Sequence, residues 1–148
     1  MTIVEAPDLA LLLIRLTGHV DRSVLRVQTP PVSAGQPVFG GYARLVDLRA
    51  VKKIDLVFAS ILELGRRSIA WQTAFGADPI RLCLLSRGDV GYGMSRMYAS
   101  VVGIPGAPFR VAVVESERDA AAFLKIDLED LRRVLEMPER PDLATDDA

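Results

Sequence analysis

Apolar positions along the chain follow two rhythms, one suited to buried strands and one to helices. Residues 1–5 read as a short strand broken by "APD" (6–8), where Pro7 and Asp8 suit a turn. The run at 9–17 reads as a second strand ending at Gly18, and "YARLVDL" (42–48) as a third. "IRLCLL" (80–85) and "PFRVAVVE" (108–115) complete a set of about five. From Asp55 the period changes. Val57, Ile61, Leu64 and Trp71 share one helical face, with Glu63, Arg66 and Arg67 opposite. Asp55 is positioned to cap that helix, and Gly76 and Pro79 to end it. Met94, Met97, Tyr98, Val101 and Val102 form a second apolar stripe, with Asp89 as its expected N-cap and Gly103 and Pro105 as its stop. Ser116 with Asp119 resembles a capping box, and the helix it opens runs to about Leu124. Asp127 opens a last helix, in which Glu129 and Arg133 are spaced for an ion pair and which Pro138 terminates. Strands alternating with helices predict an α/β domain over residues 1–137, with a mixed, mainly parallel sheet flanked by helices.

Between the second and third strands Asp21 caps an expected short helix through about Gln28. "TPPVSAGQPVFGG" (29–41) cannot extend it, because three prolines remove amide donors and three glycines loosen the backbone.

Composition narrows the function. A formal net charge of −1 gives no global pull toward nucleic acid or an anionic membrane. The figure hides an acidic tail, Pro138–Ala148, which by composition is expected to be disordered and leaves a small positive excess on the body. "LALLLIRL" (9–16) is far short of the ~20 residues a membrane helix needs, and Arg15 interrupts it. No basic residue precedes it as in a signal peptide, so a cytoplasmic protein is expected. The single cysteine, Cys83, makes neither an internal disulfide nor a metal site and reads as a small buried hydrophobe.

The stretch "DVGYGMSRMYAS" (89–100) invites a phosphate-loop reading and does not sustain it. A dinucleotide loop needs Gly-x-Gly-x-x-Gly, and Arg96 occupies the third glycine position after Gly91 and Gly93. The Walker pattern and the Gly-x-Ser-x-Gly elbow are both absent. The better reading places Gly91 and Gly93 in a helix's first turn, where a missing side chain lets backbones approach. His19, the only histidine, reads as a surface or turn residue. No catalytic residues and no cofactor are expected.

Three segments then point to a family. "LVDLRAVKKIDLVFASIL" (45–62), "LLSRGDVGYGMSRMYAS" (84–100) and "FRVAVVESERDAAAFL" (109–124) give the chain the look of a STAS-like domain. Specifically, it resembles the SpoIIAA-like proteins of bacteria, whose strand, loop and Tyr-Gly-Met-x-Arg-Met-Tyr helix are similar to the second segment. The resemblance implies a non-enzymatic domain that binds a regulatory protein. In the family's anti-sigma-factor antagonists an aspartate precedes a phosphorylatable serine at a helix start. Asp55 matches the aspartate, but Leu56, Val57 and Phe58 follow, so no hydroxyl is there to accept phosphate.

Two modes of binding follow. In the first, an interaction edge comprises Arg49, Lys52, Lys53, Asp55, Ser86, Arg87, Asp89, Tyr92 and Arg96. Its basic residues are expected in the loops beyond the strand C-termini, beside two helix N-termini that favour anionic groups. A structural alternative pairs Arg96 with Asp89 or Asp47. In the second, the chain carries a small nonpolar ligand in a pocket formed by Val38, Phe39, Met94, Met97 and Tyr98 under the 29–41 loop. The resemblance implies the carrier as well, through the fold that SpoIIAA-like proteins share with lipid-carrier domains. A homodimer stays open in either mode.

Overall fold

A computed structural model describes residues 1–25, 32–33, 36–37, 41–74 and 78–138. In chain order the strands are β1 (Thr2–Ala6), β2 (Leu11–Val20), β3 (Val32–Ser33), β4 (Gln36–Pro37), β5 (Ala43–Ile54), β6 (Ile80–Leu85) and β7 (Phe109–Val114). The helices are α1 (Arg22–Leu25), α2 (Phe58–Thr73), α3 (Asp89–Val102), α4 (Glu117–Leu124) and α5 (Leu128–Leu135). Five strands form one sheet in the order β1-β2-β5-β6-β7, in which β1 runs antiparallel to β2 and the other pairings are parallel. β3 and β4 form a separate two-residue pair inside the 29–41 stretch.

Burial on both faces explains the continuous apolar runs of β2 and β6. Leu12, Ile14, Leu16, Leu48, Leu82, Leu84 and Phe109 face one side, where Ile61 of α2 and Met94 and Val102 of α3 cover them. Leu11, Leu13, Leu45, Cys83 and Leu85 face the other, under Ala120, Ala121 and Leu124 of α4 and Leu131 and Val134 of α5. The molecule is a three-layer α/β sandwich, and Cys83 is buried as expected.

Several boundaries depart from the sequence pattern. β5 continues six residues past the expected end at Leu48. Its first part pairs with both β2 and β6, whereas Ala50, Val51, Lys53 and Ile54 pair with β2 alone. β2 likewise runs past Gly18 to Val20. Together they form a two-stranded ribbon that outruns the sheet. The ribbon holds Asp55 too, because its amide donates to the Val20 carbonyl at 2.8 Å. Asp55 therefore does not cap α2, whose N-cap is Val57 with no side-chain cap. Val57 lies outside the buried stripe and is 67% exposed. α3 differs in the same way: Gly88, at φ +80°, is its N-cap and Asp89 its first helical residue. A positive φ suits glycine there, since a Cβ would strain the backbone.

The later caps match. Ser116 Oγ accepts the Asp119 amide at 3.1 Å, and Asp127 Oδ1 accepts the Glu129 and Asp130 amides. Glu129 pairs with Arg132 rather than Arg133, which pairs with Asp130. Asp21 Oδ1 accepts the Ser23 amide at the start of α1. The expected continuation of α1 through Gln28 and the stop at Gly76 lie outside the described residues, as do 139–148 of the tail.

One long-range tie closes the second layer. Arg15, which interrupts the most apolar run, donates from Nη2 to the Leu135 carbonyl. A cation on a terminal carbonyl satisfies an orphan acceptor and complements the helix dipole.

Candidate functional site

The first turns of α2 and α3 follow the C-terminal ends of β5 and β6, and together they form a rim on one end of the sheet. Gly91 explains why α3 lies so close. A Cβ there would come within 3.3 Å of the Leu48 carbonyl oxygen and 3.4 Å of Leu48 Cβ. Gly93 has nothing within 4 Å and plays no such part.

The residues of the edge separate into three groups. Lys52, Lys53 and Arg87 are exposed, and among the described side chains no carboxylate lies within ion-pair reach of Lys52 or Lys53. Lys52 and Lys53 sit on the ribbon rather than in a loop. Tyr92 is half-buried, and the exposed Arg96 guanidinium stacks over its ring at 5.7 Å from the centroid. This is the contact Arg96 makes, in place of the expected alternative with Asp47. Asp55 is exposed with its carboxylate 3.8 Å from His19 Nε2, beyond hydrogen-bond length.

Arg49 and Ser86 do not belong to the free surface. Arg49 grips Asp47 through two 2.9 Å hydrogen bonds from Nε and Nη2 and reaches Glu117 at 3.4 Å. Its pKa is raised, first by the Asp47 hydrogen bond. Glu117 in turn meets Arg132 at 3.5 Å, so the cation ties β5 to α4 and α5 and is not available to a partner. Ser86 is fully buried beneath the start of α3.

The pattern of charges missed what lies beside them. Val57 and Phe58 are 67% and 54% exposed, and Val90 on α3 is 45% exposed. The available signal was the run Leu56, Val57 and Phe58 at a helix start, where polar capping residues are usual.

Behind the rim, a cavity of about 30 Å³ lies between the sheet and the two helices. Met94 and Tyr98 line it as expected, whereas Met97 points away and is 37% exposed. Val38 and Phe39 lie outside the described residues. The unexpected occupant is Arg44, only 6% exposed, on the same strand face as Val46 and Leu48. Its guanidinium carbon is 4.9 Å from the Trp71 ring centroid and 5.6 Å from that of Phe109. Nη2 donates to Gln72 Oε1 at 2.8 Å. Burial pushes its pKa down to about 10, slightly opposed by Tyr98, so the group is charged at neutral pH. Ser68, Ser95 and Tyr98 supply hydroxyls to the same cavity, and Tyr98 donates to Ser68 Oγ at 2.8 Å. The Tyr98 pKa is raised by burial, partly offset by Ser68 and Arg44.

A broader groove of about 550 Å³ lies in the other layer, between the turn at Pro7–Leu9 and α5. Its charges are mixed, and Arg133 within it already pairs with Asp130. Among the described residues no three His, Cys, Asp or Glu side chains group as a metal site, and no helix is long and apolar enough to cross a membrane. No protein-family model, no curated protein and no solved structure matches the chain, which leaves its functional reading to this geometry and to the resemblance of its segments.

Proposed function

We propose that the chain is a STAS-like, non-enzymatic binding domain that recognises another protein through the rim formed by the ribbon and the first turns of α2 and α3. One observation carries this reading. Val57 and Phe58 are consecutive large apolar residues, both more than half exposed, within six residues of Lys52 and Lys53. An apolar centre edged by cations and by a Tyr–Arg stack has the composition of a protein-binding patch. The partner surface that fits it is apolar with acidic surroundings. Binding here is constitutive with respect to phosphorylation at the start of α2, since Leu56, Val57 and Phe58 offer no acceptor hydroxyl.

The experiment pairs quantitative capture with reconstitution. The full chain and a variant carrying Lys52→Glu, Lys53→Glu and Phe58→Ala are used as baits, and each candidate partner is purified and its Kd measured. The variant is expected to keep the native circular dichroism spectrum and to lose about tenfold or more in affinity, as for an aromatic hot spot combined with a charge reversal. Equal affinity of both baits for every reconstituted partner would remove the rim from consideration.

A further inference from the structure

The rim makes no use of Arg44, and the buried cation calls for its own account. A guanidinium has five N–H donors. One goes to Gln72 Oε1, and the faces of the group are taken by the Trp71 and Phe109 rings. Arg44 Nε is buried with no protein acceptor. Ser95, 1% exposed in the same cavity, has an Oγ with no protein partner. Ser68 accepts from Tyr98, which leaves its own hydroxyl hydrogen for another acceptor. Three donors thus converge on one small space whose other walls, including Leu64 and Met94, are apolar.

Charge decides what fits there. Among the described residues no carboxylate lies within 4 Å of Arg44. Water would satisfy the donors but not the charge, and an uncompensated buried cation is costly. At about 30 Å³ the cavity takes roughly two or three water-sized groups. A phosphate dianion exceeds that room and would bring a second charge with no second cation. A planar carboxylate matches both the size and the two-pronged donor geometry of a guanidinium. We propose that the cavity between the sheet and the α2–α3 pair binds a carboxylate anion, its oxygens on Arg44 and the Ser95 and Ser68 hydroxyls, its carbon end against the apolar wall.

A free short-chain acid and the head of a longer fatty acid present the same group, and the experiment separates them. Trp71 is the only tryptophan and sits against Arg44, so its emission reports on the site. The full chain is titrated with sodium formate, sodium acetate and sodium decanoate, with sodium chloride at matched ionic strength as the control. Thermal midpoint serves as the second readout. Acetate or formate is expected to give a saturable change that chloride does not, with a rise in midpoint. Arg44→Gln is expected to weaken binding by about tenfold or more, the loss typical of a charge-assisted hydrogen bond. Ser95→Ala should weaken it about threefold or more. Saturation by decanoate alone, lost in the same variants, supports the carboxylate at Arg44 and assigns it to a longer chain. No saturable change with any of the three acids, or unchanged affinity in Arg44→Gln, overturns the proposal. If Arg44→Gln does not fold, Ser95→Ala decides, and unchanged affinity in it overturns the proposal equally. Failure here leaves the rim untouched, because no rim variant contacts this cavity.

Discussion

Replacing Arg44 by methionine should leave the stability of the ligand-free domain nearly unchanged, although it removes a hydrogen bond and two ring contacts. Methionine keeps the unbranched apolar stem that packs between Trp71 and Phe109 and removes the charge. The fold lowers the Arg44 pKa from arginine's ordinary value to about 10, with burial as the leading cause. At about 1.4 kcal/mol per tenfold, that amounts to roughly 3 kcal/mol against the charged form. Two losses oppose the gain. The hydrogen bond to Gln72, made by a charged donor, is worth about 1.5 kcal/mol or more, and the two ring contacts, out of water, together about 2 kcal/mol. The balance lies close to zero, a change of no more than about 1 kcal/mol, or about 2–4 °C in melting temperature for a chain of this length. The effect carries a pH signature. Because the folded pKa is the lower one, the unfolded chain binds the extra proton from about pH 10 up to arginine's ordinary value, so the penalty is fully present below about 10 and fades as pH rises beyond it. The difference between wild type and Arg44→Met should therefore be flat from pH 6 to pH 9. Chemical denaturation followed by far-ultraviolet circular dichroism measures it without relying on Trp71, whose emission the substitution changes. A loss of more than about 1 kcal/mol in the variant would show that the ring sandwich holds the cation at a net profit to the fold. The idea that the site stores an unmet charge for a ligand would then lose its basis.

Three further outcomes follow from the packing. Burial pushes the Cys83 thiol up to about 12, so at pH 8 a thiol reagent should leave the native chain unmodified and react rapidly once denaturant is added; rapid native labelling would contradict the position of β6. Gly65→Ala places a Cβ 2.3 Å from Val101 Cγ1 where α2 meets α3, and the overlap with a stiff β-branched side chain should cost about 1–3 kcal/mol in denaturant titrations despite alanine's better helix propensity. Arg15→Met removes the cation from the Leu135 carbonyl and should lower stability by about 1–2 kcal/mol, with hydrogen exchange rising first in α5; uniform exchange across the domain would count against a local cap.

The order of elements was legible because it rests on local signals. β6 occupies the six residues of "IRLCLL", and Ser116 and Asp127 cap the helices they were read to cap. The ribbon was not legible, because Lys52 and Lys53 break the apolar pattern and the strand there is held by backbone bonds to β2. That pairing also moved the start of α2, since the ladder bond of the Asp55 amide carries the extended chain to residue 55 and the helix begins only at Phe58, behind its N-cap Val57. On the rim, Lys52, Lys53, Arg87, Tyr92 and Arg96 reach the surface as read. Ser86 does not, because the close approach that Gly91 permits buries it under α3. Residue type was a poor guide to exposure here: Ser86 is covered, whereas Phe58 at the start of α2 and its N-cap Val57 are bare.

Four arginines show why chemistry was harder to read than fold. In the sequence Arg15, Arg44, Arg49 and Arg96 are equivalent cations near apolar runs, and each has a different structural fate. Arg15 ends a helix, Arg49 holds β5 to α4, and Arg96 lies on a tyrosine ring at the surface. Each of these three has a partner that accounts for its place. Arg44 has two rings and an amide oxygen, which satisfy its faces and one donor but not its charge. The signal for its burial was its alternation with Val46 and Leu48 in "ARLVDL", which places the three on one strand face, but no role for Arg44 was read from it. What no linear pattern could supply was the absence, among the described residues, of a facing carboxylate, since that depends on which side chains α2 and α3 turn inward. They turn in Ser68, Ser95 and Tyr98, hydroxyls that solvate an anion and do little to neutralise a cation. A cavity arranged in that way is matched to a guest that brings the negative charge with it.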